Sequence, residues 1–278
     1  MGCHLIALGG TGQKTLEMLT YACACDALYT LDDDLRRVPL DTLSALTADT
    51  DLAPAADTVL RYQALQTVFS AASLPHAGFH TKLLHEHLPV VSEARPDVHS
   101  IAGERDQLLL RTLFSHEKST LDVRGGLQGH ADLGMFFFAD ALCRLSERLA
   151  QGGESPFFER IQEELDRGEE AKVLLVGSVY GGTGMSGVPS MARFLRGRFS
   201  SERLILGAAL LLPPHDPRTA DDYNARAEAA LKQYGVSAVM RHSAYDTDGL
   251  LDAAYLVRTT GNLYAENYAQ AAAGTQSD

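Results

Sequence analysis

Val176-Gly177-Ser178-Val179-Tyr180-Gly181-Gly182-Thr183-Gly184-Met185-Ser186-Gly187-Val188-Pro189 is the stretch from which the rest of the chain can be read. It follows Ala171 to Val176, an apolar run that reads as a buried strand, and leads to a helix expected from Pro189 to Arg196. Glycine lets a backbone turn its N–H groups inward and lets an anion approach with no Cβ in the way. A helix N-terminus adds partial positive charge at the same point. A strand, a glycine loop and a helix in that order predict a phosphate cradle.

Two more glycine clusters lie outward from it. Leu8-Gly9-Gly10-Thr11-Gly12-Gln13 follows a strand expected over Cys3 to Leu8, and a helix is expected from Gln13 to Tyr29. Gly125-Gly126-Leu127-Gln128-Gly129 precedes an apolar helix expected over Leu133 to Leu149. The first cluster is neither of two common motifs. A Walker loop needs Gly-Lys-Ser/Thr in direct succession, and Gln13 separates Gly12 from Lys14-Thr15. A dinucleotide fingerprint needs a third glycine where Thr15 stands. Alone, it fits a tight strand-to-helix turn equally well.

The remaining pattern alternates strand and helix. Strands are expected at Leu43–Ala48, Leu204–Leu212, Val236–Met240 and Ala253–Val257. Helices are expected at Ala55–Phe69, Glu104–Phe114, Phe157–Leu165, Asp221–Tyr234 and Asn262–Ala273. Alternation with short connections implies a parallel sheet covered on both faces. The fold class is therefore α/β, a Rossmann-like parallel sheet flanked by helices, with a helical insertion around 54–120. In such sheets ligands gather at the carboxyl ends of the strands.

Bulk properties exclude several classes. The 278 residues are 45% hydrophobic and 22% charged, ordinary for a globular chain. The net charge of −12 argues against a broad basic face for nucleic acid. One phosphate chain needs only a local nest of amides, so a nucleotide remains compatible. No apolar run approaches the ~20 residues of a membrane span, and the N-terminus has no signal-peptide pattern, so no membrane partner is expected and the protein reads as cytoplasmic. The four cysteines, Cys3, Cys23, Cys25 and Cys143, have no metal-ligand spacing. His85-Glu86-His87 would diverge on a helix, so no metal ligands are assigned there. Asp32-Asp33-Asp34 reads as a solvated loop, Phe136-Phe137-Phe138 as core, and Arg226 as either a surface ion-pair partner or a nucleotide contact.

The Gly181-Gly182-Thr183-Gly184 core, with Pro189 after it, resembles the signature loop of the tubulin/FtsZ superfamily, in particular its bacterial tubulin-like branch. Tyr180 and Ser186 depart from that pattern, with Gly187 one place later. Other elements follow in family order. Leu8 to Gln13 resembles the first phosphate loop, Asp49-Thr50-Asp51 the acidic turn near phosphates and metal, and Arg124 to Gly134 the loop that senses the γ-phosphate. Leu211 to Pro214 resembles the strand end before the sugar loop. Tyr223-Asn224-Ala225 and Gly261-Asn262 resemble segments carrying base-contacting asparagines.

The resemblance implies GTP or GDP as ligand, with Mg2+. Its nucleotide-binding residues would be Gly9, Gly10, Thr11, Gly12, Gln13, Asp49, Asp51, Gly126, Gln128, Gly129, Tyr180, Gly181, Gly182, Thr183, Gly184, Met185, Asp222, Asn224 and Asn262. It also implies a GTP-binding domain over 1–260, the start of a central helix over 261–278, and no second domain in this chain. Family members complete GTP hydrolysis between subunits with a loop beyond that helix, so slow or absent turnover is expected here and no catalytic residue is assigned. Partners would be another copy, in a filament or oligomer, or a different protein. A nucleotide-sensing module without turnover is the alternative, and an NAD(P)-dependent oxidoreductase is a third reading. Gly182→Val or Gly184→Val is expected to fold but not to bind nucleotide.

Overall fold

A computed structural model describes residues 2–31, 34–50, 56–72, 78–92, 94–102, 106–213, 220–235 and 249–258. In chain order the elements are β1 (Gly2–Leu8), α1 (Gly9–Ala24), β2 (Tyr29–Leu31), β3 (Arg37–Pro39), β4 (Thr42–Asp49), α2 (Ala56–Ala72) and β5 (Lys82–Pro89). The short helices α3 (Val98–Ile101), α4 (Gln107–Leu113) and α5 (His116–Ser119) follow, then α6 (Ala131–Ala150), α7 (Pro156–Asp166), β6 (Ala171–Ser178) and α8 (Gly182–Arg198). Last come β7 (Leu204–Leu211), α9 (Ala220–Gly235) and β8 (Ala253–Val257).

Six strands form one parallel sheet in the order β5-β4-β1-β6-β7-β8. Numbered along this sheet alone, the order is 3-2-1-4-5-6, that of the doubly wound nucleotide folds. From β1 the chain winds outward to β4 and β5; it then returns to β6 and winds the other way. Right-handed crossovers in opposite directions put helices on opposite faces. Alternate residues of β1 accordingly serve two cores. Ile6 and Leu8 join Leu46, Phe137, Phe138, Val188 and Leu206 on one face. Leu5 and Ala7 join Leu16, Leu43, Val59 and Leu83 on the other. This is the α/β parallel architecture expected from the sequence.

Local outcomes depart from the sequence reading in instructive ways. Segment 54–120 is not purely helical, because β5 lies within it as an edge strand paired with β4. A two-stranded ribbon, β2 with β3, precedes β4, and Asp34 is exposed beside it. Helix α1 ends at Ala24 instead of Tyr29, where Asp26 takes a left-handed φ of 52°. Helix α8 opens at Gly182, seven residues before Pro189, which lies inside the helix and is buried. The expected strand Val236–Met240 and helix Asn262–Ala273, the residue-260 boundary, Asp51 and Asn262 lie outside the described residues. Phe137 and Phe138 are core, as expected.

One polar staple fixes the far edge. Arg196 of α8 donates to Leu204 O at 2.7 Å, to Leu250 O at 3.0 Å and to Asp252 Oδ2 at 2.6 Å. Asp252 Oδ2 also accepts from Leu206 N–H at 2.7 Å. The guanidinium's forked donors thus tie the end of α8 to the starts of β7 and β8. Among the described residues no helix is long and apolar enough to cross a membrane.

Candidate nucleotide-binding site

The strand order reverses between β1 and β6, and crevices at such points are where open α/β sheets bind ligands. The first and third glycine loops leave those two strands. Gly9 has a φ of +70°, and a Cβ on it would lie 3.0 Å from Thr183 Cβ, so the two loops touch. A Cβ on Gly182 would lie 2.5 Å from Leu127 Cβ and 3.2 Å from His130 N, so the second loop touches the third. Three loops expected from sequence are thereby brought together.

Helices α1, α6 and α8 all begin at this point, with Leu8, His130 and Gly181 in the cap positions. None of the three caps makes a side-chain hydrogen bond to the helix start. The first-turn amides of a helix have no intrahelical acceptor, and an anion satisfies them.

Asp49 knits the loops together from the end of β4. It is 4% exposed. Its Oδ1 accepts from Thr50 N–H at 2.7 Å and from Thr183 Oγ1 at 3.2 Å, and its Oδ2 accepts from Gln13 Nε2 at 3.1 Å. Three residues expected at the site from separate parts of the sequence thus share one carboxylate. Ser178, which the sequence reading passed over, closes the turn after β6: its Oγ accepts from Gly181 N–H at 3.2 Å. The signal was a serine ending a strand before a glycine run.

Close packing sets which glycines can change. A Cβ on Gly184 would collide with the Ser178 carbonyl oxygen and lie 2.6 Å from its nitrogen. A Cβ on Gly12 would lie 2.6 Å from Ala7 C and 2.8 Å from Val176 O. Backbone cannot give way as a flexible side chain can, so Gly184→Val damages the fold itself. This corrects the expectation that the variant would fold and lose only its ligand. Ser186, where the resembled family has glycine, fits because Gly134 of α6 faces its hydroxyl, which donates to Gly182 O at 2.7 Å. By contrast, Gly10, Gly125 and Gly126 have open space where a Cβ would go. Gln128 and Gly129 both have positive φ, 47° and 86°, and Gln128 is exposed. Thr11 and Met185 are partly exposed at the same loops.

Helix α9 reaches this end through Tyr223, whose ring meets Tyr180 edge-to-face at 5.5 Å. Arg226, one turn on, sits 5.9 Å from the Tyr223 ring centroid with its guanidinium against Gly129. Among the described residues it makes no ion pair, so it faces the loop and not a surface carboxylate. Asn224 faces elsewhere. With Leu212, Pro213, Ala227, Leu231 and Arg258 it lines a cavity of about 370 Å³ between α9 and the ends of β7 and β8. The structure therefore groups Asn224 with this cavity and not with the glycine loops. Asp222 lies on α9, but its side chain is outside what is described. Asp132, at the start of α6, bonds Lys118 Nζ at 2.7 Å. Burial raises its carboxyl, but the Lys118 hydrogen bond and charge and the backbone hydrogen bonds at the helix start together hold it below its usual value.

Among the described residues no three His, Cys, Asp or Glu gather as a metal-binding group. No family model and no curated protein matches the sequence. Solved structures similar to it include CetZ1 from Haloferax volcanii as a GDP-bound monomer, at 13% identity and a TM-score of 0.48 over 99% of this chain and 58% of that one. CetZ2 from Haloferax volcanii, a GTPγS-bound protofilament, shows 16% identity and a TM-score of 0.45 over 97% of this chain and 54% of that one. CetZ from Methanosaeta thermophila shows 15% identity and a TM-score of 0.39 over 97% and 50%. This chain spans at most 58% of those structures. The parallel sheet, its order and the glycine loops at its switch point are those of a doubly wound α/β architecture with its ligand crevice between β1 and β6.

Proposed function

We propose that this chain binds a guanine nucleotide, GTP or GDP, with its phosphates over the three glycine loops. The observation that carries the reading is the meeting of three helix starts without side-chain caps where the strand order reverses. Amides of residues 10–12, 127–129 and 182–183 hold the phosphates, while those of Gly126 and Gly181 donate to Val123 O and Ser178 Oγ; Arg226 adds a fixed positive charge beside Gly129. The cavity lined by Asn224 takes the base, because an amide offers both donor and acceptor to a purine edge. Asp222 and Asn262 belong to the same proposed contact set.

Mg2+ is bound mostly by phosphates and water in sites with few protein carboxylates. Asp49 fits that role, as the carboxylate on which Gln13 and Thr183 converge. The ion would neutralise phosphate charge. Backbone amides hold substrate and product alike, which does little for the chemical step. The isolated chain therefore supplies nucleotide occupancy with slow turnover, read by a second copy or by another protein.

The strand order equally suits a nicotinamide dinucleotide, so the decisive measurement is the nucleotide released when purified protein is denatured. Guanine nucleotide is expected, and NAD would overturn the proposal. Titration with GTP and ATP then tests the base: equal affinity would remove the guanine assignment.

A further inference from the structure

The two edges of the six-stranded sheet are unlike. β5 carries Lys82, Glu86 and Pro89, and charged residues and proline are what keep an edge strand from pairing with another chain. β8, at the opposite edge, is Ala253-Ala254-Tyr255-Leu256-Val257, with no charge and no proline. Tyr255 is 61% exposed, Leu256 55% and Val257 42%. Successive strand side chains point to opposite faces, so β8 is open on both. Among the described residues it pairs only with β7. Its other side presents a row of N–H and C=O groups ready to accept a further strand.

We propose that β8 is a dimerisation edge, pairing antiparallel with β8 of a second copy about a two-fold axis at Tyr255. Charge identifies the occupant. Asp252 directly precedes the strand and Arg258 directly follows it. Antiparallel pairing centred on Tyr255 sets residue 252 of one copy opposite residue 258 of the other. Opposed residues in such a pair lie on the same face, so each Asp252 meets an Arg258, and symmetry makes the contact twice. Asp252 is already fixed at the strand entry, where its Oδ2 accepts from Arg196 at 2.6 Å. A carboxylate can take further donors on both oxygens, and Arg258 is exposed. An in-register parallel pair would instead set Asp252 against Asp252 and Arg258 against Arg258.

Two chains of net charge −12 repel, and β8 is an uncharged strip at which they can meet. The two Tyr255 rings come side by side across the axis, a pairing that stabilises adjacent strands. The two sheets then run on as one. This inference does not rest on the nucleotide reading. Arg258 also lines the cavity beside α9, so the test is made without added nucleotide.

The test is sedimentation velocity of the full chain from low to high micromolar concentration. So short a contact belongs to the small, transient class of interface, and a dimer that dissociates in the micromolar range is expected. Tyr255→Lys sets two ammonium groups side by side at the axis and should raise the dimer Kd at least tenfold. Arg258→Glu turns the Asp252 contact repulsive and should weaken the dimer several-fold. Circular dichroism verifies the fold of each variant. Cross-linking reads the register, in a background with the exposed Cys25 and Cys143 replaced by serine. Opposed residues have Cα atoms about 4.5–5.5 Å apart, within disulfide reach, so Tyr255→Cys should cross-link under diamide. The two copies of Val257→Cys would be about 13 Å apart along the strands and should not. A wild type that stays monomeric throughout overturns the proposal. So does a folded Tyr255→Lys variant that self-associates as wild type does, or cross-linking at 257 as ready as at 255.

Discussion

The glycines of this chain divide into two groups that look alike in sequence. Gly12 and Gly184 are pressed against backbone: Gly12 against Ala7 and Val176, Gly184 against Ser178. Gly10, Gly125 and Gly126 border open space. The first group lets helices α1 and α8 start hard against strands β1 and β6. The second lines the open side of the loops, where a side chain would meet no neighbouring element. A glycine-rich motif thus combines a packing requirement with a binding requirement, and substitutions can separate them.

The largest expected effect is on the packed group. In Gly184→Val the added atoms have no route past the Ser178 backbone, so soluble, cooperatively folding protein should be lost. The penalty belongs with severe overpacking, about 4 kcal/mol or more. Gly12→Ala should cost somewhat less, about 2–4 kcal/mol, since one Cβ meets Ala7 and Val176 O. Chemical denaturation measures both. A Gly184→Val protein as stable as wild type would show that the two groups of glycine are not distinct.

Asp49 comes next, as the tie between the loops. Asp49→Ala leaves Thr50 N–H, Thr183 Oγ1 and Gln13 Nε2 without this acceptor. A buried donor left unpaired costs about 1–3 kcal/mol, less where water can reach it. A loss near 3 kcal/mol is expected, and denaturation should read it directly. A midpoint unchanged by the substitution would mean that the loops hold their positions without the carboxylate.

Much of this was legible in the sequence, for definite reasons. β1, β4, β6 and β7 are apolar runs because helices cover both faces, and such runs announce themselves. β5 did not, because Lys82-Leu-Leu-His-Glu-His-Leu-Pro89 is an edge strand with only one fully paired side. The β2–β3 ribbon is short and mostly exposed, so it has no apolar pattern to find. The start of α8 was hidden by residues of poor helix propensity and by Pro189. Burial of Val188, Met191, Ala192 and Leu195 against the core outweighs those local preferences. At the site the loops could be read, since glycine, threonine and serine leave a local signature. The meeting of Thr183 with Asp49, 134 positions apart, could not, because it depends on the strand order. The contact of Arg226 with Gly129 was inaccessible for the same reason.

Gly10→Ala tests the open group. The added methyl meets no protein atom within 4 Å, and Gly10 lies in the first turn of α1. Alanine is the better helix former, so stability should hold or rise by about 0.5–1 kcal/mol. If phosphates rest on the residue 10–12 amides, nucleotide affinity should fall at least tenfold, about 1.4 kcal/mol. Stable protein with unchanged affinity would move the phosphates away from this loop. The contrast with Gly12→Ala, two positions along, is the sharpest form of the comparison.

The smallest expected effect is a pH dependence at the edge strand β5, where Thr47 Oγ1 of β4 lies 3.0 Å from His85 Nε2 and 3.0 Å from His87 Nδ1. Burial lowers the pKa of both His85 and His87, and the nearby His87 ring lowers His85 further while Glu86 opposes it. An unfolded histidine titrates near 6.5. As pH falls through that value the unfolded chain takes up protons that the folded chain still refuses. Stability therefore declines as the pH drops below about 6.5, and the decline from these two rings ends once the folded histidines protonate as well. Above about pH 7.5 both states hold neutral rings and contribute no slope. Replacing both with glutamine removes two titrating groups while keeping hydrogen-bonding capacity toward Thr47. The double variant should therefore show a shallower fall in denaturation midpoint between pH 7 and 5 than wild type. Carboxylates begin to contribute near the bottom of that range, so the difference between the two proteins is the quantity to read. Identical pH profiles would mean that the Thr47 cluster opens to solvent as readily in the folded chain as in the unfolded one. In that case β5 is held at the sheet edge by its backbone pairing with β4 and the burial of Leu83 and Leu88, with no contribution from the histidine faces.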